Sequence, residues 1–130
     1  LETVNCWGSG SPLREFMHVD DLAMAIIFAL ENWDPNNKNA PLDNNGKPLT
    51  YLNVGTGKEI SIKELTIKIS KEVGFKGNIF WDKSKPDGSA RKLLDIKKFT
   101  SLGWSPQINL DEGLKKTISE FDINNYKSKF

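Results

Sequence analysis

Residues 6–21, CWGSGSPLREFMHVDD, gather a glycine-rich loop, one of two arginines, the only histidine and two aspartates. Such a set could serve three kinds of chemistry. Gly8-Ser9-Gly10 could cradle a phosphate with backbone N–H groups. His18 beside a carboxylate could pass protons, because imidazole titrates near neutrality. Alternatively, the stretch could wall a substrate pocket whose reacting groups lie elsewhere. Arg14 suits the first and the third, since its planar fork pairs with phosphate or carboxylate as lysine cannot. The chain holds sixteen lysines against Arg14 and Arg91 alone, which singles those two positions out.

The glycine loops fail as cofactor fingerprints. A dinucleotide loop needs a small residue three places after its second glycine, then a helix N-terminus. After Gly10 that place holds Leu13, and residues 14–17 read as extended. Gly55-Thr56-Gly57 stands before a helical pattern, but its third place is Ile60. As a P-loop it has Leu52 where glycine is needed and Glu59 where a hydroxyl is needed. A tight strand-to-helix turn is the better reading.

Composition closes other routes. One histidine and one cysteine cannot build a usual zinc site, and one cysteine forms no internal disulfide and fits a reducing compartment, here the cytoplasm. A net charge of +1 gives no reason to expect nucleic acid, and no apolar run is long enough to span a membrane. The 130 residues suffice for one modest α/β domain. The chain opens on Leu1 in a strand-like run, so it reads as a segment of a longer protein.

The elements that must position these residues follow from periodicity. Residues 2–7 read as a strand. Asp20 or a neighbour caps a helix carrying Leu22, Ala25, Ile26, Ala29 and Leu30 and ending near Trp33. Residues 34–50, rich in Asn, Asp, Pro and Gly, form a surface loop. Residues 51–54 read as a strand before the Gly-Thr-Gly turn. Ser61 and Glu64 form a capping box for a helix ending at Gly74. Residues 78–81 read as a strand, 93–102 include a short helix closed by Gly103, and a last helix follows Asn109. The tail, 124–130, is polar. Two or three strands are too few for a complete doubly wound fold.

Four stretches in order, WGSGSPLREFMHVDDLA, YLNVGTGKEISIKEL, FWDKSKPDGSARKLLD and LGWSPQINLDEGL, give the chain a family resemblance. Together they resemble the C-terminal part of the GDP-L-fucose synthase family of extended short-chain dehydrogenase/reductases. WGSGSPLREF and KPDGSARKLLD carry the specific likeness; the RxFxHVxD segment and NVGTG are common across sugar-nucleotide epimerases. Ser89-Ala90 stands where the family commonly has Thr-Pro.

The resemblance implies a small substrate-binding lobe over 1–123, without the complete Rossmann domain. It implies binding of GDP-4-keto-6-deoxy-D-mannose by an NADPH-dependent epimerase/reductase that makes GDP-L-fucose and is a homodimer when complete. NADPH and the catalytic set would belong to a preceding domain, leaving this segment inactive by itself. The family's substrate contacts map onto Trp7, Arg14, Asp87 and Lys92. His18 then reads as a structural histidine, and Asp20 and Asp21 as helix-capping groups. Two alternatives remain: a lobe acting on another nucleotide sugar, and a non-catalytic nucleotide-sugar-binding module.

Overall fold

A computed structural model of the chain describes residues 2–121. In chain order its elements are β1 (Thr3–Trp7), β2 (Leu13–Glu15), α1 (Val19–Asn32), β3 (Glu59–Ser61), α2 (Ile62–Glu72), β4 (Asn78–Asp82), β5 (Arg91–Lys92), α3 (Lys97–Thr100) and α4 (Leu110–Glu120). Strands pair as β1-β4 and as β3-β2-β5. The result is a small α/β structure without a complete doubly wound sheet. The expected tail at 124–130 lies outside the described residues.

The chain forms two compact units. The first takes the described residues of Leu1–Arg14, Ile60–Arg91 and Leu110–Phe130; the second takes Glu15–Glu59 and Lys92–Asn109. In the first unit β1 and β4 run parallel, with Thr3 opposite Asn78 and Trp7 opposite Asp82. Parallel pairing sends both chains out of the same edge, so residues 8–12 and 83–90 leave side by side at the strands' carboxyl ends. Ligand sites of α/β folds form at such edges. At the other end, a Cβ on Gly77 would stand 2.5 Å from the Glu2 carbonyl oxygen, so the β1-β4 ladder begins at a contact only glycine allows.

The capping box at α2 is as the sequence predicts. Ser61 Oγ accepts from the Glu64 N–H at 3.1 Å, and Glu64 Oε2 accepts from the Ser61 N–H at 3.0 Å. Gly74, at φ +66°, follows the C-cap Val73. α2 packs on α4, and Lys68 Nζ donates to Asp111 Oδ1 at 2.6 Å across that contact.

In the second unit Phe99 is buried, edge-on to Phe28 and 5.3 Å from the Trp104 ring. The expected short helix is α3, followed by Gly103 at φ +104°. Residues 34–50 are turns closed by their own side chains: Asp43 Oδ1 accepts from the N–H groups of Asn45 and Lys47, both at 2.8 Å.

Two expectations need correction. Residues 51–54 form no strand. A strand exists through its neighbours, and β2 takes β3 and β5, so extended backbone at 51–54 gains no ladder. The cap of α1 is His18, not Asp20: His18 is extended and its Nδ1 accepts from the Asp20 N–H at 3.2 Å. Asp20 and Asp21 already lie in the first turn, where their charge still suits the helix dipole.

Candidate functional site

The site grows from the carboxyl ends of β1 and β4. Gly8, at φ +81°, donates to the Asp82 carbonyl at 2.9 Å and turns the chain away from β1. Gly10, at φ +75°, turns it again over Trp81, where a Cβ would meet the indole ring at 2.6 Å. Ser9 between them donates its N–H to Asp87 Oδ1 at 2.8 Å and its hydroxyl to Asp87 Oδ2 at 2.6 Å. The loop after β4 is thereby tied to the loop after β1.

That tie brings three of the four sequence-predicted residues into one unit. Trp7 ends β1 and is 75% exposed, so it is no core tryptophan. Lys85 Nζ lies 5.6 Å from the centre of its ring, held there by an Asx turn in which Asp82 Oδ1 accepts from the Ser84 N–H at 3.0 Å. Arg14 is half-buried and donates to the Leu13 carbonyl at 2.6 Å. A Cβ on Gly88 would stand 3.3 Å from Arg14 Nη2, which sets the guanidinium against the residue after Asp87. Lys92, the fourth residue, is exposed and opens the second segment of the other unit.

Charge at this edge is polarised. The Ser9 hydroxyl, and after it the Ser9 N–H, hold the Asp87 carboxyl below the usual carboxylate range. Asp87 is therefore an ionised acceptor, in the same loop as Lys85, and its neighbour Gly88 lies against Arg14. An exposed aromatic face, a forked cation and an acceptor suit a ligand with a flat or sugar ring, phosphate oxygens and hydroxyl or N–H donors.

The second unit answers the question of the other glycine loop. Glu15 Oε1 accepts from the Gly57 N–H at 2.5 Å and from Thr56 Oγ1 at 3.3 Å, while Oε2 accepts from the Leu94 N–H at 3.3 Å. A Cβ on Gly55 would stand 2.5 Å from the same carboxylate. The N–H of Gly57 already has an internal anion, as the turn reading of this loop requires. Sequence reasoning missed Glu15; its only signal was a glycine loop that matched no ligand fingerprint.

Asp21 was also missed. It is 3% exposed, and its carboxylate accepts from the N–H groups of Gln107 at 3.1 Å and Ile108 at 2.9 Å. Its work is to hold a distant loop, not to cap its own helix. His18 holds the α1 cap through Nδ1.

Residues 2–42 match the family described as the NAD dependent epimerase/dehydratase family. The chain is 46% identical over 119 residues to the GDP-L-fucose synthase of Escherichia coli (strain K12), spanning 88% of this chain and 35% of that protein. The crystal structure of a GDP-6-OMe-4-keto-L-xylo-heptose reductase from C. jejuni matches with a TM-score of 0.80 at 36% identity, covering 99% of this chain and 35% of that one. A GDP-L-fucose synthetase from Naegleria fowleri bound to NADP matches with a TM-score of 0.74 at 27% identity, covering 97% and 36%. The chain thus spans about a third of the length of these relatives.

NADP does not fit the glycine loops of this chain. Gly8-Ser9-Gly10 leads to β2 rather than to a helix N-terminus, and Glu15 fills the Gly57 loop. By motif, identity and fold the chain resembles extended short-chain dehydrogenase/reductases: residues 2–42 match the NAD dependent epimerase/dehydratase family, and nearly the whole chain aligns with about a third of the length of GDP-sugar epimerases and reductases.

Proposed function

We propose that this chain supplies the nucleotide-sugar-binding part of an NADPH-dependent GDP-sugar epimerase/reductase, one that forms GDP-L-fucose from GDP-4-keto-6-deoxy-D-mannose. Exposed Trp7 ends β1, ionised Asp87 is tied to Ser9 two residues further on, and Gly88 next to Asp87 lies against the Arg14 guanidinium; that chain of contacts carries the proposal. Trp7 walls the sugar or base. Arg14 forks onto the diphosphate, and Lys92 adds a point charge there. Asp87 accepts from a ribose hydroxyl or a base N–H. NADPH and the groups that move protons and hydride belong to the part of the enzyme outside this chain.

Arg14 gives the sharpest test, in the protein expressed from its complete gene. Arg14→Ala loses charge and fork; Arg14→Lys loses the fork alone. Charge-assisted hydrogen bonds contribute roughly 1.5–3 kcal/mol, so Arg14→Ala should weaken GDP binding on the order of tenfold to a hundredfold. Arg14→Lys should fall between Ala and wild type, and NADPH affinity should hardly move. Calorimetric titration with GDP, UDP and NADPH separates the outcomes. Equal GDP affinity in all three proteins would remove Arg14 from the phosphate site, and tighter UDP than GDP binding would move the enzyme to another nucleotide sugar.

A further inference from the structure

We infer that Ser9 is a positioning residue of the nucleotide-sugar site: its N–H and hydroxyl together grip both oxygens of Asp87 and fix that carboxylate against Gly8, the residue after Trp7, and next to Gly88, which lies against Arg14. The inference rests on the reading above, in which Asp87 meets the ligand.

The Ser9 hydroxyl has one proton and two lone pairs. Its proton goes to Asp87 Oδ2 at 2.6 Å. Its oxygen accepts from the Ser11 N–H at 3.1 Å and lies 2.7 Å from Ser11 Oγ. With the Ser9 proton already spoken for, Ser11 is the donor in that last bond. Every hydrogen-bonding site of the hydroxyl is then used, and it has one orientation.

The flanking glycines make the grip geometrically possible. A Cβ on Gly8 would run into Asp87 Oδ1, so the carboxylate sits against bare backbone. Asp87 in turn is followed by Gly88, which lies against the Arg14 guanidinium. Holding Asp87 therefore also holds the loop that carries Lys85 towards Trp7. A carboxylate offers about four lone-pair sites. Ser9 takes two, one on each oxygen, and two remain for ligand donors. Because only the ionised form accepts at all of them, the donors on Ser9 also keep Asp87 in its binding form.

The experiment compares Ser9→Ala, Ser9→Thr, Asp87→Asn and the Ser9→Ala/Asp87→Asn pair in the protein expressed from its complete gene. GDP affinity is measured by calorimetry from about pH 3 to 7, with about half a pH unit between points, because the Asp87 carboxyl titrates below its ordinary value. Losing one hydrogen bond to a charged group should weaken GDP binding about tenfold in Ser9→Ala. Ser9→Thr keeps the hydroxyl and should bind almost as wild type does. The double variant should bind no more weakly than Asp87→Asn alone, since the grip has a single object. In Ser9→Ala the acid loss of affinity should begin at higher pH, because Asp87 then protonates more readily. A purely structural serine would lower thermal stability without moving that profile.

If Ser9→Ala fails to fold, Ser9→Cys keeps the shape with a weaker donor, and intermediate affinity and an intermediate acid limb are expected. Wild-type affinity and an unmoved pH profile in Ser9→Ala or Ser9→Cys overturn the positioning role and leave the GDP-sugar reading standing. Failure of the wild-type protein to bind GDP overturns that reading, and this inference with it.

Discussion

Glu15 treats the Gly55-Thr56-Gly57 loop as a bound anion would. One oxygen lies 2.5 Å from the Gly57 nitrogen, and the other reaches the Leu94 N–H at 3.3 Å. Glu15→Ala leaves both exposed N–H groups to water and should cost about 0.5–1.5 kcal/mol, the usual net contribution of a hydrogen bond. Urea denaturation reads the cost, and amide exchange at Gly57 should quicken in parallel. An unchanged urea midpoint would show that water replaces the carboxylate without loss. Glu15 was illegible because its partners stand some forty and eighty residues away, and no local pattern marks a carboxylate that closes so long a loop. Asp21 failed for the same reason: local rules made it a cap, while its partners are Gln107 and Ile108. Arg14 stood out through the scarcity of arginine and Trp7 through the family resemblance, and the exposure of Trp7 is what the structure adds.

Among elements, helices were more legible than strands, and α2 shows why. Its cap, apolar spacing and terminal glycine all lie within fourteen consecutive residues, 61–74. β3 and β5 are two or three residues long and exist only through pairing with β2, which no local window reveals. Removing the α2 cap by Ser61→Ala should cost about 1 kcal/mol. The same variant tests a pH effect. The Ser61 hydroxyl, and after it the Ser61 N–H, hold the Glu64 carboxyl below its ordinary value. A carboxyl lowered in the folded state stabilises above the unfolded value, and that stability fades as pH falls through the folded one. Ser61→Ala should therefore lose stability at neutral pH and show a shallower decline on acidification, read as urea midpoints at pH 7 and pH 3. Parallel acid profiles for the two proteins would mean that the box does not control Glu64. The Lys68–Asp111 bond, with both side chains largely exposed, should contribute little by comparison.

At the scale of the whole molecule, α1 is the element out of balance. Its sequence, VDDLAMAIIFALEN, is apolar almost all round, the mark of a helix covered on most faces. Yet Asp21 and Ala25 are its buried residues, while Leu30 is 81% exposed and Val19, Met24, Ile26 and Ile27 are exposed as well. The sequence displayed the apolar residues but not how few of them these 130 residues would cover, because burial depends on what surrounds a helix. Relatives about three times as long have further chain with which to cover such a face. Purified as these 130 residues alone, the protein should self-associate through α1. Each of these side chains contributes at most about 1.5–3 kcal/mol on burial, and association costs must be met first, so affinity in the micromolar range or weaker is expected. Ile26→Glu with Leu30→Glu puts two charges one helical turn apart on the exposed face and should return the chain to a monomer. Sedimentation velocity over a hundredfold concentration range distinguishes the cases. A wild-type chain that stays monomeric throughout would show that α1 carries its apolar surface without association.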